Sequence, residues 1–249
     1  MLCCTCFLIV SLFVRVRAWG PLTHVDFCHD SLSSSVTTTP RRAAREAGCM
    51  VPDALKRQWP SLHSLDFASY LFQEAQNIEL LLEFSVGYAF HVGHDLLGHH
   101  VPGGFLSPPS ADHVTEFAVD SYLYHVQDVK FPDTTITQSQ AELVANASKF
   151  ILGQSLKPHQ VLQAVHAFRD LISVEQVALY TSGRHVYQHT LVQHVQHDIC
   201  QGNNASGEFS QVVDILNFTK TVWIRDISNR IRSEISRGNR THLNIPIDS

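Results

Sequence analysis

The chain has 249 residues, of which 44% are hydrophobic and 16% are charged, and its formal net charge is −5 with the histidines neutral. This hydrophobic content suits one domain with a sizeable core. A mildly acidic chain lacks the electrostatic footprint of a protein that binds duplex DNA, although this does not rule out a nucleic acid whose phosphates are met by bound metal ions.

The first eighteen residues, MLCCTCFLIVSLFVRVRA, predict a secretory signal peptide that is cut after Ala18. The apolar run is short for a membrane span, and it ends in a small residue with Val16 at the −3 position. An uncleaved anchor is the alternative, because Arg15 and Arg17 lie on the unusual side of the apolar run. Cleavage would remove two basic residues and no acidic one, which leaves residues 19–249 with a net charge of −7. We therefore expect a soluble, secreted protein.

Sequons and cysteines agree with export. Four asparagines lie in N-glycosylation sequons: Asn146, Asn204, Asn217 and Asn239. Three cysteines remain after the signal peptide: Cys28, Cys49 and Cys200. In an oxidising compartment they would give one disulfide and one odd thiol, and the sequence does not choose the pair.

Apolar residues recur at helical spacing along the whole chain, whereas period-two alternation is nearly absent. We therefore predict an all-α single domain. The expected helices are Pro21–Ser33, Leu65–Asn77, Ile78–His99, Ala111–Val129, Ser139–Leu152, Pro158–Leu171, Val174–Cys200 and Phe209–Arg237. Turn-rich segments at 101–110 and 130–138 offer N-caps at Ser110 and at Thr137 or Ser139.

The third predicted helix ends in HVGHDLLGHH, in which His91, Asp95 and His99 are spaced i, i+4 and i+8. Successive side chains at this spacing are offset by about 40°, so the three form one stripe. Imidazole and carboxylate groups are ordinary ligands of zinc. Glycines such as Gly87 cost helix stability and make sense where backbone or metal approaches closely. We interpret the stripe as a metal site, because an unpaired carboxylate would be costly to bury there.

For a single histidine the better interpretation is a solvated face or a core histidine satisfied by hydrogen bonds. His94 and His100 point off the stripe, and we assign both of them to this interpretation. A second histidine-rich segment, RHVYQHTLVQHVQHDIC at 184–200, matches no motif. We interpret it as an amphipathic helix with a polar histidine face, with a pH-sensitive or metal site as the alternative.

Further candidate ligands lie on both sides of this helix. The expected new amino terminus is WGPLTH, in which the α-amine and carbonyl of Trp19 could chelate a metal, and His24 follows five residues on. Asp53 follows a proline in AGCMVPD, and His63 precedes the next helix. Another helix starts with four candidates: Asp112, His113, Glu116 and Asp120.

With these residues the chain resembles the zinc-dependent phospholipase C and S1/P1 nuclease superfamily, and it is most similar to the catalytic domain of glycosylphosphatidylinositol-specific phospholipase D. The motifs that carry the resemblance are GPLTH, AGCMVPD with a later histidine, and HVGHDLLGH, followed by a downstream acidic/histidine pair. The resemblance covers residues 19 to about 125. The resemblance implies an all-α fold that holds three zinc ions in one cleft.

Carried over by position, the resemblance implies three ligand sets. The first comprises the amine and carbonyl of Trp19, with His24 and Asp95. The second comprises His63, His91 and Asp95, with Asp53 as a bridge to the third ion. The third comprises His99, His113 and Glu116. Asp95 would thus be shared between two ions.

One spacing departs from the family pattern, because two residues rather than three separate His113 from Glu116. The pair still shares a helix face at i, i+3. Asp112 with Glu116 has the usual spacing but lacks the histidine, and Asp120 is a further candidate. A reduced or lost site at this position would put catalysis in doubt.

Clustered divalent ions suit phosphodiester cleavage, and Asp53 would orient or deprotonate the attacking water. We expect a secreted zinc-dependent phosphodiesterase that acts on phospholipids, with glycosylphosphatidylinositol anchors as the favoured class and transient contact with a membrane surface. A lipid-facing rim could include Val101, Phe105 and Leu106. The alternatives are a single-strand nuclease, which would stack bases on aromatic rings such as Phe67 or Phe90, and a non-catalytic zinc-binding protein.

Overall fold

The computed structural model describes residues 20–30, 39–75, 78–100, 112–131 and 134–183, together with 229 and 233. Within these residues the backbone is mostly helical and contains no strand, which confirms the all-α class. The helices are α1 (Pro21–Asp30), α2 (Thr39–Lys56), α3 (Leu65–Glu74), α4 (Glu79–His100), α5 (Asp112–Val126), α6 (Gln138–Ala147), α7 (Lys149–Leu152) and α8 (Pro158–Ala178). A 3₁₀ turn spans Pro60–Leu62 and a π-helical turn spans Leu179–Gly183.

Local chemistry fixes several helix ends. Thr137 is the N-cap of α6, as predicted, and it forms a capping box with Gln140. Ser64 caps α3 by accepting a hydrogen bond from the amide of Phe67. Gly153 ends α7 in the left-handed conformation with φ of 70°, which glycine adopts without strain.

Helix α2 is absent from the sequence prediction, although it carries Asp53 and eleven of its eighteen residues are buried. Gly48 and Pro52 in the segment AGCMVPD argue against a helix interior. Tertiary packing overrides this local preference, because α2 contributes a large part of the described core. The predicted set of helices was therefore incomplete at this position.

Two further boundaries differ from the prediction. The expected break between Leu171 and Val174 does not exist, because α8 continues through Ala178, and no glycine or proline interrupts it there. The expected single helix over 139–152 is interrupted at Ser148, whose hydroxyl donates to the carbonyl of Ala145. The predicted helical stretches 184–200 and 209–237 lie outside the described residues, apart from positions 229 and 233, where the backbone is helical.

Residue contacts divide the chain into two units, of which the first contains residues up to 23, 95–131 and 173–223. In its described part, α5 packs against the π-helical turn Leu179–Gly183. His125 of α5 donates a hydrogen bond of 2.8 Å to the carbonyl of Leu179. Val119 and Leu123 are buried on the same helix.

The second unit contains residues 24–94, 132–172 and the part of the chain from 224 onward. Here α2 and α4 approach so closely that a Cβ on Gly48 would lie 2.0 Å from the carbonyl oxygen of Phe84. A Cβ on Gly87 would lie 2.1 Å from the carbonyl oxygen of Arg45. Both positions therefore require glycine, which confirms the close approach expected at Gly87. The side chains of Arg45 and Glu83, both buried, pair across the same two helices.

Cys28 of α1 and Cys49 of α2 form a disulfide. The structure thus selects a pair that the sequence left open, and Cys200 lies outside the described residues. The sequon asparagine Asn146 is exposed on α6. None of the described helices is long and apolar enough to cross a membrane.

Candidate metal centre

Four predicted ligands come together in the described structure. Asp53 lies in the last turn of α2, and His63 follows the 3₁₀ turn Pro60–Leu62. His91 and Asp95 occupy successive turns of α4. Each of the four offers one ligand atom, and these atoms all lie within 4.8 Å of one another, so the group could hold a metal ion.

The distances within the group match the size of a coordination sphere. Nε2 of His91 lies 3.1 Å from Nε2 of His63 and 3.4 Å from Oδ1 of Asp53. Nε2 of His63 lies 4.0 Å from the same oxygen. Ligand atoms arranged tetrahedrally around zinc, with bonds of about 2.0 to 2.1 Å, lie roughly 3.3 Å apart. Only small movements would bring these three atoms onto one ion.

Helix α2 orients the imidazole of His91. Its Nδ1 lies 2.6 Å from the carbonyl oxygen of Cys49, and a carbonyl can only accept, so Nδ1 carries the proton. In the neutral ring Nε2 then has the lone pair, and it is Nε2 that faces Asp53 and His63. A histidine that donates through one nitrogen to a carbonyl and offers the other to a metal is the usual arrangement in metalloproteins.

A buried tyrosine holds the turn that presents His63. The hydroxyl of Tyr88, on α4, donates a 3.0 Å hydrogen bond to the carbonyl of Leu62. The ring of Tyr88 is fully buried and lies edge-on to Phe67. Burial, and the nearby negative charge of Asp53, raise the pKa of Tyr88 well above its ordinary value, so the hydroxyl remains a donor. Sequence analysis missed this role, because Tyr88 lies inside an apolar run.

The charges of the group suit a divalent cation. Its two carboxylates, Asp53 and Asp95, are both buried, and each buried negative charge needs compensation. The buried cation of α2, Arg45, is paired with Glu83. A divalent ion would neutralise both carboxylates and accept the lone pairs of two imidazoles at once.

Access to the group is uneven. The side chain of His63 is 11% exposed, whereas those of Asp53 and His91 are 2% and 1% exposed. The half-buried Trp59 comes just before the turn that carries His63. Within the described structure, His63 is therefore the member of the group that solvent reaches most easily.

Two more histidines extend the cluster into the core. The fully buried ring of His24 stacks on His91 with 3.8 Å between centroids, but His24 is not one of the four grouped ligands. The off-stripe His94 is also fully buried, and its ring lies near those of His24, Phe27 and Phe90. His94 is thus a core histidine, in keeping with its assignment from the sequence.

The remaining predicted ligands lie outside what the structure describes. Trp19 precedes the first described residue. The backbone of His99 belongs to α4, and His113 and Glu116 belong to α5, but their side chains are outside the described part. Of the first ligand set, the structure describes the side chains of His24 and Asp95. The third set stays a prediction.

Asp120, a further candidate ligand in the sequence, has a different role. Its fully buried carboxylate accepts hydrogen bonds from the amides of Leu22 and Thr23, each at 3.0 Å, and from the Thr23 hydroxyl. It therefore caps the first turn of α1, where the amides have no partners within the helix. A Cβ on Gly20 would collide with the same carboxylate.

No protein-family model matches the chain, and the searches of curated proteins and of solved structures also return no match.

Proposed function

We propose that this protein is a secreted zinc-dependent phosphodiesterase of the phospholipase type. The observation that carries the proposal is the meeting of Asp53, His63, His91 and Asp95, contributed by two helices and a turn, with ligand atoms within 4.8 Å of one another. The sequence motifs that resemble the zinc-dependent phospholipase C and S1/P1 nuclease superfamily contain Asp53, His91 and Asp95, and His63 follows the second motif. The proposed fold type is that of the same superfamily.

Zinc is the proposed metal because the group combines two imidazoles with two carboxylates, a mixture that zinc accepts and that magnesium and calcium rarely use. Three ions are proposed from the resemblance, with Asp95 shared between two of them. His24 stacks on His91 next to the group, and this proximity supports its place in the proposed first ligand set. The third set depends on His99, His113 and Glu116.

The residues divide the chemistry of hydrolysis among them. A bound zinc ion would polarise a phosphoryl oxygen and lower the pKa of a coordinated water toward about 7. His63 and His91 would hold the site and present their Nε2 atoms to it. Asp53, whose Oδ1 faces both histidines, would orient the attacking water and accept its proton. No serine or cysteine nucleophile is required.

A lipid phosphodiester of the glycosylphosphatidylinositol type is the proposed substrate, on the strength of the resemblance. Two of the rings that a nuclease could use for stacking, Phe67 and Phe90, are fully buried and cannot stack on bases. Tyr70 is half-buried and stacks on Phe150. The proposed lipid-facing rim, Val101, Phe105 and Leu106, is not among the described residues.

The test is a product assay on the purified secreted protein. Zinc-loaded protein should cleave a glycosylphosphatidylinositol-anchored protein or phosphatidylinositol in detergent micelles, and it should lose this activity with a chelator. Cleavage of single-stranded DNA with intact lipid would establish the nuclease instead. Full metal content with neither activity would establish a non-catalytic zinc-binding protein.

The variant Asp95→Asn sharpens this assay. Because Asp95 is proposed to serve two ions, the variant should lose activity and more than one zinc per molecule, as measured by atomic emission. Full activity in the variant would refute the shared ligand. The amino terminus of the same purified protein should also be sequenced, because a mature chain that begins anywhere but Trp19 could not form the first ligand set.

A further inference from the structure

The disulfide between Cys28 and Cys49 lies within the frame of the metal centre. On α2, Cys49 precedes Asp53 by four residues, which is about one helical turn. On α1, Cys28 follows His24 by the same spacing. Each half-cystine is therefore one turn from a predicted ligand, and both cysteines are buried.

Both of the helices that the disulfide joins also contact His91. The carbonyl oxygen of Cys49 accepts the 2.6 Å hydrogen bond from Nδ1 of this histidine. From the other side, the ring of His24 stacks on the imidazole at 3.8 Å with an interplanar angle of 18°. The imidazole of His91 is thus held between two helices that the disulfide joins.

The contact between α2 and α4 has its own support. Close packing at Gly48 and Gly87 and the buried Arg45–Glu83 pair hold these two helices together. Helix α1 is tied to α2 by the part-buried hydrogen bond between His29 and Glu46 and, covalently, by the buried disulfide. Reduction should therefore loosen α1, and with it the face of His91 that His24 covers, more than it loosens Asp53.

We propose that Cys28 and Cys49 are positioning residues of the metal centre, so that full metal affinity is reached only after their disulfide has formed. The proposal rests on the metal binding proposed above and adds its regulation. Formation of the bond oxidises two thiols and transfers two electrons and two protons to a small-molecule disulfide, which leaves as two thiols. The centre would thus mature in an oxidising compartment and stay weak in a reducing one.

Metal titration of the double variant Cys28→Ser/Cys49→Ser tests the proposal. The chain is stripped with a chelator, and zinc affinity is measured by competition with a chromophoric chelator. Circular dichroism checks that the helices are intact at the temperature of the titration. The expected result is an affinity about tenfold or more below that of the parent protein, with an altered cobalt(II) absorption band. Parent affinity with the parent cobalt(II) spectrum would overturn the proposal.

The matched control is Leu143→Ala, which removes a buried side chain from α6, a helix that contributes none of the four grouped ligands. This variant should lower the melting temperature and leave the zinc affinity unchanged. If the control weakens zinc binding as much as the double variant does, the effect is one of general stability and the proposal fails.

A second measurement uses the unaltered protein and remains decisive if the double variant does not fold. A phosphine reductant is oxidised to its phosphine oxide as it reduces the disulfide, with one water supplying the oxygen and the two protons. A buried disulfide is reached only through local opening, which a bound metal would oppose. Zinc should therefore slow the reduction several-fold. The rate is measured by alkylating the thiols of Cys28 and Cys49 as they appear and detecting the products by mass spectrometry. An equal rate with and without zinc would overturn the proposal.

These measurements separate the two proposals. Protein that binds zinc in a disulfide-dependent way but cleaves no phosphodiester leaves the positioning role intact and refutes the proposed function. Protein that cleaves lipid and binds zinc equally well without the disulfide does the reverse.

Discussion

Asp53 and Asp120 are both buried aspartates on helices, yet their surroundings differ completely. Asp120 is surrounded by donors, since two amides and a hydroxyl hydrogen-bond to its carboxylate. Asp53 faces the Nε2 atoms of His63 and His91, of which the latter carries a lone pair in its neutral form. The carboxylate of Asp120 thus accepts from donors of the chain, whereas Oδ1 of Asp53 lies beside two imidazoles with which it could hold a cation. The partners of a buried carboxylate, rather than its spacing in the sequence, therefore distinguish a cap from a ligand.

The substitution Asp53→Asn should have the largest effect on metal binding. It keeps the shape of the side chain but removes the charge that faces the two histidines. We expect zinc affinity to fall about 100-fold and phosphodiesterase activity to fall to background, measured by chelator competition and by the lipid assay. Zinc binding at the parent level would show that Asp53 is not a ligand.

The counterpart is Asp120→Asn, which should mainly affect stability. An amide keeps one acceptor oxygen, so its NH₂ group would face either the Leu22 amide or the two donors of Thr23 and leave a buried amide unsatisfied. We expect a loss of about 2 to 4 kcal/mol in the free energy of unfolding, measured with urea. At low temperature the folded variant should bind the ions that depend on Asp53 as the parent does. A variant with full stability but without zinc would reverse the two roles.

The sequence predicts one half of this comparison better than the other. The i, i+4 spacing of His91 and Asp95 is a local pattern, and the predicted helix exists and brings both residues into the group. The hydrogen bonds of Asp120 join residues 97 and 98 positions apart, and no local pattern encodes them. The role of Asp120 as a helix cap could therefore not be predicted from the sequence.

The frame around the ligands was equally difficult to predict. Local preference argued against α2, because Gly48 and Pro52 disfavour a helix interior, and only the contact of Gly48 with α4 explains the residue. The backbone carbonyl of Cys49 that orients His91 has no signature in any sequence, since every residue has a carbonyl. The choice of Cys28 as the disulfide partner likewise depends on how α1 and α2 pack.

Tyr88→Phe tests the frame without touching a ligand. It removes the hydroxyl that donates to the carbonyl of Leu62, next to His63, and keeps the buried ring. We expect a loss of about 1 to 2 kcal/mol in stability and a roughly tenfold weaker zinc affinity. The control is Tyr70→Phe, on a ring that stacks with Phe150, and it should leave zinc affinity unchanged. Equal zinc affinities in the two variants would limit Tyr88 to a packing role.

The smallest effect is expected at Glu46, a carboxylate near the surface that hydrogen-bonds to the side chains of His29 and Arg42. Burial raises its pKa, but hydrogen bonds and attraction from His29 and Arg42 outweigh burial, so the pKa lies below the ordinary value of 4.5. A lowered pKa means that the stabilisation is present above the unfolded-state value and is lost as the pH falls through the folded-state value. Glu46→Gln should therefore cost about 0.5 to 1 kcal/mol near neutral pH and less near pH 3, measured by urea unfolding at both.

The control for this last variant is Glu142→Gln, on an exposed residue of α6 whose hydrogen-bond partner is the uncharged Gln138. It should leave stability unchanged at either pH, because no charged partner is lost. A cost at Glu46 that persisted undiminished near pH 3 would mean that packing, and not charge, holds this side chain. Glu46 would then differ from Asp120, whose two carboxylate oxygens act as hydrogen-bond acceptors for the first turn of α1.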